Sequence, residues 1–162
     1  MITFSQALEQ LHALTDPKIA AQMQNSYKID RLYLGVSNLD IDTLYKQWRI
    51  EVDGDARISL ASELWYSNIH EARIAAAKLL TQARISSDDN VWQEITRWIP
   101  TLDHAVIADQ VCGAGARRLK STPERLDQVA TWVQDENIWV RRSTLTLTMP
   151  WTKMNNPKAE DF

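Results

Sequence analysis

Apolar residues fall in the three-four rhythm of amphipathic helices along most of the chain. The segment ITFSQALEQLHALT reads as one such helix. DPKIAAQMQNSYK reads as a second, opened by Asp16 as cap and Pro17 in the first turn. LYLGVS then breaks the rhythm, with Gly35 as the predicted turn. NLDIDTLYKQWR resumes it and predicts a helix with Leu39, Leu44 and Trp48 turned inward. From there the pattern repeats. Trp65, Trp98 and Trp132 are spaced by 33 and 34 residues, and each closes a helical stretch (ISLASELW, VWQEITRW and LDQVATW). A short polar turn follows each Trp, and then a second helix begins. The fifth position beyond the Trp is His70, Asp103 or Asn137. Asp and Asn there predict N-caps, because their oxygens accept from the first free amides of a helix. Two helices per period of this length predict an all-α chain of about nine helices, a right-handed α-α superhelix (a HEAT-like solenoid of helical hairpins). The pattern covers residues 1–150 as one helical-repeat domain. Beyond Pro150 the periodicity is lost, so 151–162 reads as an irregular tail and the start of a missing C-terminal part.

The second helix of each unit can be compared position by position. In the first unit Ala72, Ala75, Ala76, Leu79 and Ala83 make a stripe expected to be buried, small enough for neighbouring helices to approach closely. The matching positions in the next unit are Ala105, Ala108, Asp109 and Cys112, and in the last Trp139, Arg142, Ser143 and Thr146. A face that is apolar in one unit therefore carries charge in the next two. An unpaired buried charge is very costly, so Asp109 either lines an open groove or is buried with a partner. Arg142, one repeat later on a similar face, is the natural partner, and such a pair can exist without any catalytic role. Trp65, Trp98 and Trp132 are expected in the core. Trp139, whose repeat-mates are alanines, either stands in the groove or fills the space beside Ala105.

Composition agrees with this layout. Only 4 Gly and 5 Pro in 162 residues favour long helices with short connections over a turn-rich β-sandwich. The net charge of −3 does not advertise a nucleic-acid binder, but its distribution is uneven. Residues 1–112 hold 10 Lys/Arg against 15 Asp/Glu, whereas 113–158 hold 8 against 4. The second half thus carries a basic surface, either for a polyanion or as an ordinary solvated face. Arg117, Arg118 and Lys120 near a predicted helix end either contribute to it or complement the helix dipole. No apolar run approaches the roughly 18 residues of a membrane span. The N-terminus lacks the pattern of a secretory signal, and the single Cys112 suits a reducing cytoplasm. His12, His70 and His104 lack metal-ligand spacing, and there is no Gly-rich phosphate loop or Ser-His-Asp arrangement, so neither a metal nor a cofactor is expected.

Several of these segments together resemble the AlkD-like family of DNA alkylation-repair glycosylases. Tyr33-Leu34-Gly35-Val36 is similar to the family's aromatic-Leu-Gly-aliphatic turn. Leu64-Trp65, then His70-Glu71-Ala72-Arg73 running to Lys78-Leu79-Leu80, resembles its Leu-Trp, polar turn and alanine-rich helix. Asn137-Ile138-Trp139-Val140-Arg141-Arg142 resembles a later Asn-x-Trp segment. The resemblance implies a HEAT-like solenoid whose concave face grips duplex DNA and an activity that removes N3- and N7-alkylated purines. It implies that Asp109 stabilises an oxocarbenium-like sugar or orients water. It also implies that Arg142 clamps a phosphate, with Arg141, Trp139, Arg117 and Arg118 as further DNA contacts. Two departures stand out. Ala105 occupies the place of the family's Trp four residues before the aspartate, and a later Trp-Phe segment is missing. The ending is accordingly expected to be a natural truncation, a processed fragment or a shortened reading frame. The expected function is a DNA glycosylase-like protein acting on alkylated duplex DNA. The alternatives are a non-catalytic DNA-binding member and a protein-interaction solenoid. Trp98 with Asp103 is a rival pairing one residue too long, and Asp103 reads as an N-cap. Oligomeric state is left open.

Overall fold

Helix formation follows local capping chemistry. The computed structural model describes residues 1–150, and the tail expected over 151–162 lies outside the described residues. In α1 (Phe4–Ala13) Thr3 and Gln6 make a reciprocal capping box. The Thr3 hydroxyl accepts from the Gln6 amide at 3.3 Å, and the Gln6 side chain accepts from the Thr3 amide at 3.0 Å. In α2 (Pro17–Tyr27) the Asp16 carboxylate accepts from the Lys18 and Ile19 amides at 3.0 and 3.1 Å, as the Asp-Pro pair predicts. The chain then turns through Gly35 at φ 74°, where a Cβ would overlap the Asp16 carbonyl oxygen. This turn is held from below by Glu71. Its buried carboxylate accepts from the Leu34 and Gly35 amides at 3.0 and 2.7 Å. An isolated parallel bridge between Leu32 and Ile69 completes the attachment. Two segments that looked familiar separately, Tyr33–Val36 and His70–Glu71, are thus one contact.

Ser37 caps α3 (Asn38–Glu51), which buries Ile41, Leu44 and Trp48 at steps of three and four. Leu39 was expected inward but is 76% exposed, because it falls two residues before Ile41, on the far side of the helix. The remaining helices are α4 (Gly54–Tyr66), α5 (His70–Leu79), α6 (Asp88–Trp98), α7 (Ala105–Ser121), α8 (Leu126–Thr131) and α9 (Ile138–Thr148). Nine α-helices and no strands make up the described residues, an all-α fold consistent with a helical-repeat superhelix. α4 packs on α5 and α6 on α7, while α5, α7 and α9 lie side by side as an inner row.

The innermost helix is α5, in which every residue but Lys78 is buried. The sequence predicts a stripe; the structure shows a helix enclosed almost all round, because α3, α4 and α7 all close on its alanines. Ala83, expected on the same stripe, lies beyond the helix end at Leu79 and is exposed. Trp65 and Trp98 stack with ring centroids 4.5 Å apart and planes 5° from parallel, a contact worth about 0.5–1.5 kcal/mol beyond its buried area. Trp132 leaves that series: it is half-buried and stacks on Trp92 at 6.1 Å. It lies in a 3-10 turn, Trp132–Gln134, that continues α8, whereas Trp65 and Trp98 lie in the last turns of α4 and α6.

Candidate nucleic-acid interface

The helix α7 is built with two faces. Ile107, Ala108, Val111, Cys112, Ala114, Gly115 and Leu119 are buried against α5, α6 and α9. Val106, Asp109, Gly113, Arg117 and Lys120, at steps of three and four, form an exposed stripe on the other side. Asp109 sits in this stripe with its side chain 55% exposed, and its Oδ1 accepts from Arg142 Nη2 at 2.7 Å. Arg142 comes from the first turns of α9 and is itself 35% exposed. Its guanidinium carbon lies 5.8 Å from the centre of the Trp139 ring, which is half-buried and packs against the core. Arg142 Nη1 is shielded from solvent and has no hydrogen-bond partner among the described residues. Below the pair, the Cys112 thiol donates to Ser143 Oγ at 3.5 Å, and that hydroxyl donates to the Trp139 carbonyl at 2.7 Å. Burial pushes the Cys112 thiol up from its ordinary value, so it stays protonated as this donor. The register of α7 against α9 is therefore fixed directly under the carboxylate and the guanidinium.

The other expected contacts are distributed less simply. Arg117 is exposed on the same stripe, two turns beyond Asp109. Arg141 is exposed, but its Nη1 donates to the Asp135 and Glu136 carbonyls at 2.6 and 2.9 Å, holding the loop before its own helix. Arg118 corrects the reading from sequence: it is fully buried and offers nothing to a phosphate. Neighbouring helix residues point about 100° apart, so Arg118 turns toward α6 while Arg117 faces out. Its guanidinium donates to Asp88 and to the Gln82 and Ala83 carbonyls. Arg125 joins the same cluster through Asp88 and Asp89, each at 2.5 Å.

A second cluster lies at the head of α7. Asp103, expected as the N-cap, is not one; His104 takes that place, its Nδ1 accepting from the Val106 amide at 3.3 Å. Asp103 is engaged elsewhere, and the helix starts one residue later. Asp103 instead accepts from the buried Arg31 at 2.5 Å, with Arg73 Nη1 at 4.0 Å from the same oxygen. Asn137 does cap α9, accepting from the Trp139 amide at 2.8 Å. Around Asp103 the rings of Tyr27, Tyr33, His70 and His104 gather, Tyr27 lying 4.1 Å from His104 and 5.4 Å from His70. Burial, then the charges of His104 and Arg31, lowers His70 to about 4. Burial and Arg31 likewise lower His104. Sequence reasoning missed this cluster, although His70 and His104 are 34 residues apart, one repeat period. Arg31, outside the repeats, gave no signal. Among the described residues no group of three His, Cys, Asp or Glu is placed to hold a metal ion, and no helix is long and apolar enough to cross a membrane.

Residues 7–161 match the family described as DNA alkylation repair enzyme. The chain belongs to that family. No curated protein and no solved structure matches it. Membership in the DNA alkylation repair family places the chain in the repair of alkylated DNA, with DNA as its substrate. Asp109 and Arg142 are brought together on an open surface, Arg117 extends that surface, and Arg118 is withdrawn from it.

Proposed function

We propose that this member of the family binds duplex DNA along the exposed stripe of α7 and the adjoining turns of α9, and excises N3- and N7-alkylated purines. The observation that carries the reading is the Asp109–Arg142 pair: a carboxylate and a guanidinium from adjacent inner helices, both reachable from solvent, above the buried Cys112–Ser143 contact. An alkylated purine already carries positive charge, so it departs with the electron pair of its glycosidic bond and becomes neutral. Positive charge moves to the sugar as an oxocarbenium, which Asp109 stabilises, and water adds at the vacated carbon while losing a proton. Arg142 holds a backbone phosphate beside this centre, Arg117 adds a second phosphate contact, Arg141 braces the loop before α9, and Trp139 supports the Arg142 guanidinium. Ala105 is exposed at the start of the same helix, so no indole stands one turn before Asp109. That observation favours a second reading, a DNA-binding member that does not cleave. A reducing cytoplasm suits the buried single thiol.

Release of 7-methylguanine from methylated duplex DNA under single-turnover conditions separates the two. Release above the spontaneous rate supports excision, and tight, salt-dependent binding without release supports the second reading. Affinity for DNA that does not change with salt would sink both, because phosphate contacts release counterions.

A further inference from the structure

Two glycines stand two residues apart in α7, and only one has an internal explanation. A glycine inside a helix weakens it relative to alanine. At Gly115 the loss has a reason: a Cβ would collide with Leu147 of α9 and crowd Ile95 of α6. At Gly113 a Cβ would meet nothing within 4 Å among the described residues, and the position is exposed. This helix carries alanine at 105, 108, 114 and 116, so smallness alone is met without glycine. No contact among the described residues accounts for glycine rather than alanine at position 113. Gly113 sits one turn after Asp109 and one turn before Arg117, with Lys120 a further turn along, in the middle of the exposed stripe.

We infer that Gly113 is a close-approach position, where the sugar-phosphate backbone of duplex DNA rests directly on the main chain of α7. The inference rests on the DNA-binding reading above. The occupant follows from charge: beyond Asp109, whose carboxylate is met by Arg142, the stripe runs into Arg117 and Lys120 and is basic. A polyanionic rod lying along that line crosses Gly113, and a methyl group there holds it off both flanking turns. The bare position sets the distance at which Asp109 meets the sugar.

The inference predicts opposite signs for stability and binding. Gly113→Ala and Gly113→Leu both replace the poorest helix former in an open position, so each raises Tm, by about 2–4 °C for the alanine. Both weaken binding of a short undamaged duplex at fixed ionic strength, by about fivefold or more for alanine and more steeply for leucine. Raised Tm with unchanged affinity in both variants overturns the role of Gly113 while leaving the DNA reading intact. Wild-type protein without salt-dependent affinity for the duplex overturns the DNA reading, and this inference with it.

Discussion

Asp109 and Arg142 hold each other at 2.7 Å on a surface that water reaches, and that exposure decides what the pair can do. An exposed ion pair contributes about 0–1 kcal/mol, whereas removing one partner of a buried pair costs about 3–5 kcal/mol. The contact is therefore cheap to open, and on the proposed reading a phosphate takes the guanidinium from the carboxylate and frees it for the sugar. Arg142→Ala is expected to weaken DNA binding and to lower the salt slope by about one, read from affinities across a salt series. Asp109→Asn removes a competing negative charge from the same surface, so binding of undamaged duplex tightens by a few-fold, about 1 kcal/mol or less. A weaker complex would mean that Asp109 organises the surface rather than competing for it.

His70 supplies a pH prediction at the same scale. Its folded value is about 4 against 6.5 for an unhindered imidazole, and it faces His104, Arg31, Arg73 and Asp103. The unfolded chain takes up the proton first, so the stability this residue contributes is present above pH 6.5 and is lost as pH falls toward 4. The loss is of order 3 kcal/mol at most. Thermal melts between pH 7 and 4 are expected to fall, and His70→Phe is expected to flatten that fall; an unchanged slope in the variant would contradict this placement of the charge.

Among elements, α7 shows most clearly what was legible and what was not. Its charged face was readable because Asp109 departs from an apolar repeat position, and its pairing with Arg142 followed from one repeat of spacing. The split between Arg117 and Arg118 was not readable, since both orientations are compatible with a run of two arginines. It is settled by Asp88 at the start of α6, which receives Arg118 on the side of α7 turned away from the exposed stripe. Arg118→Ala is expected to destabilise the protein by several kcal/mol, leaving Asp88 to Arg125 alone, with little change in the salt slope of DNA binding. Arg117→Ala is expected to do the reverse: melting is unchanged within about 0.5 kcal/mol, and the slope falls by about one. The N-cap of α7 was misplaced for a related reason. No period in the sequence announces Arg31, which engages Asp103 and leaves the cap to His104.

At the scale of the whole molecule the helical repeat was legible because helix periods and a Trp spacing are local signals, repeated. What ties the N-terminal helices to the repeats was not. The Glu71 carboxylate under the Leu34 and Gly35 amides, and Arg31 reaching Asp103, join segments 36 and 72 residues apart. Glu71→Ala would leave two buried amides unpaired, and a stability loss of about 2–4 kcal/mol is expected in chemical denaturation. These attachments bring the alanine-rich helix and the charged stripe of α7 into one body, and that stripe carries the proposed reaction. The measurement that tests it most directly is single-turnover release of 7-methylguanine from methylated duplex DNA by the wild-type chain and by Asp109→Asn. The account predicts release by the wild type and a loss of about a hundredfold or more in the variant, even as the variant binds undamaged duplex at least as tightly. Equal release by both, or none above the spontaneous rate by the wild type, would contradict it.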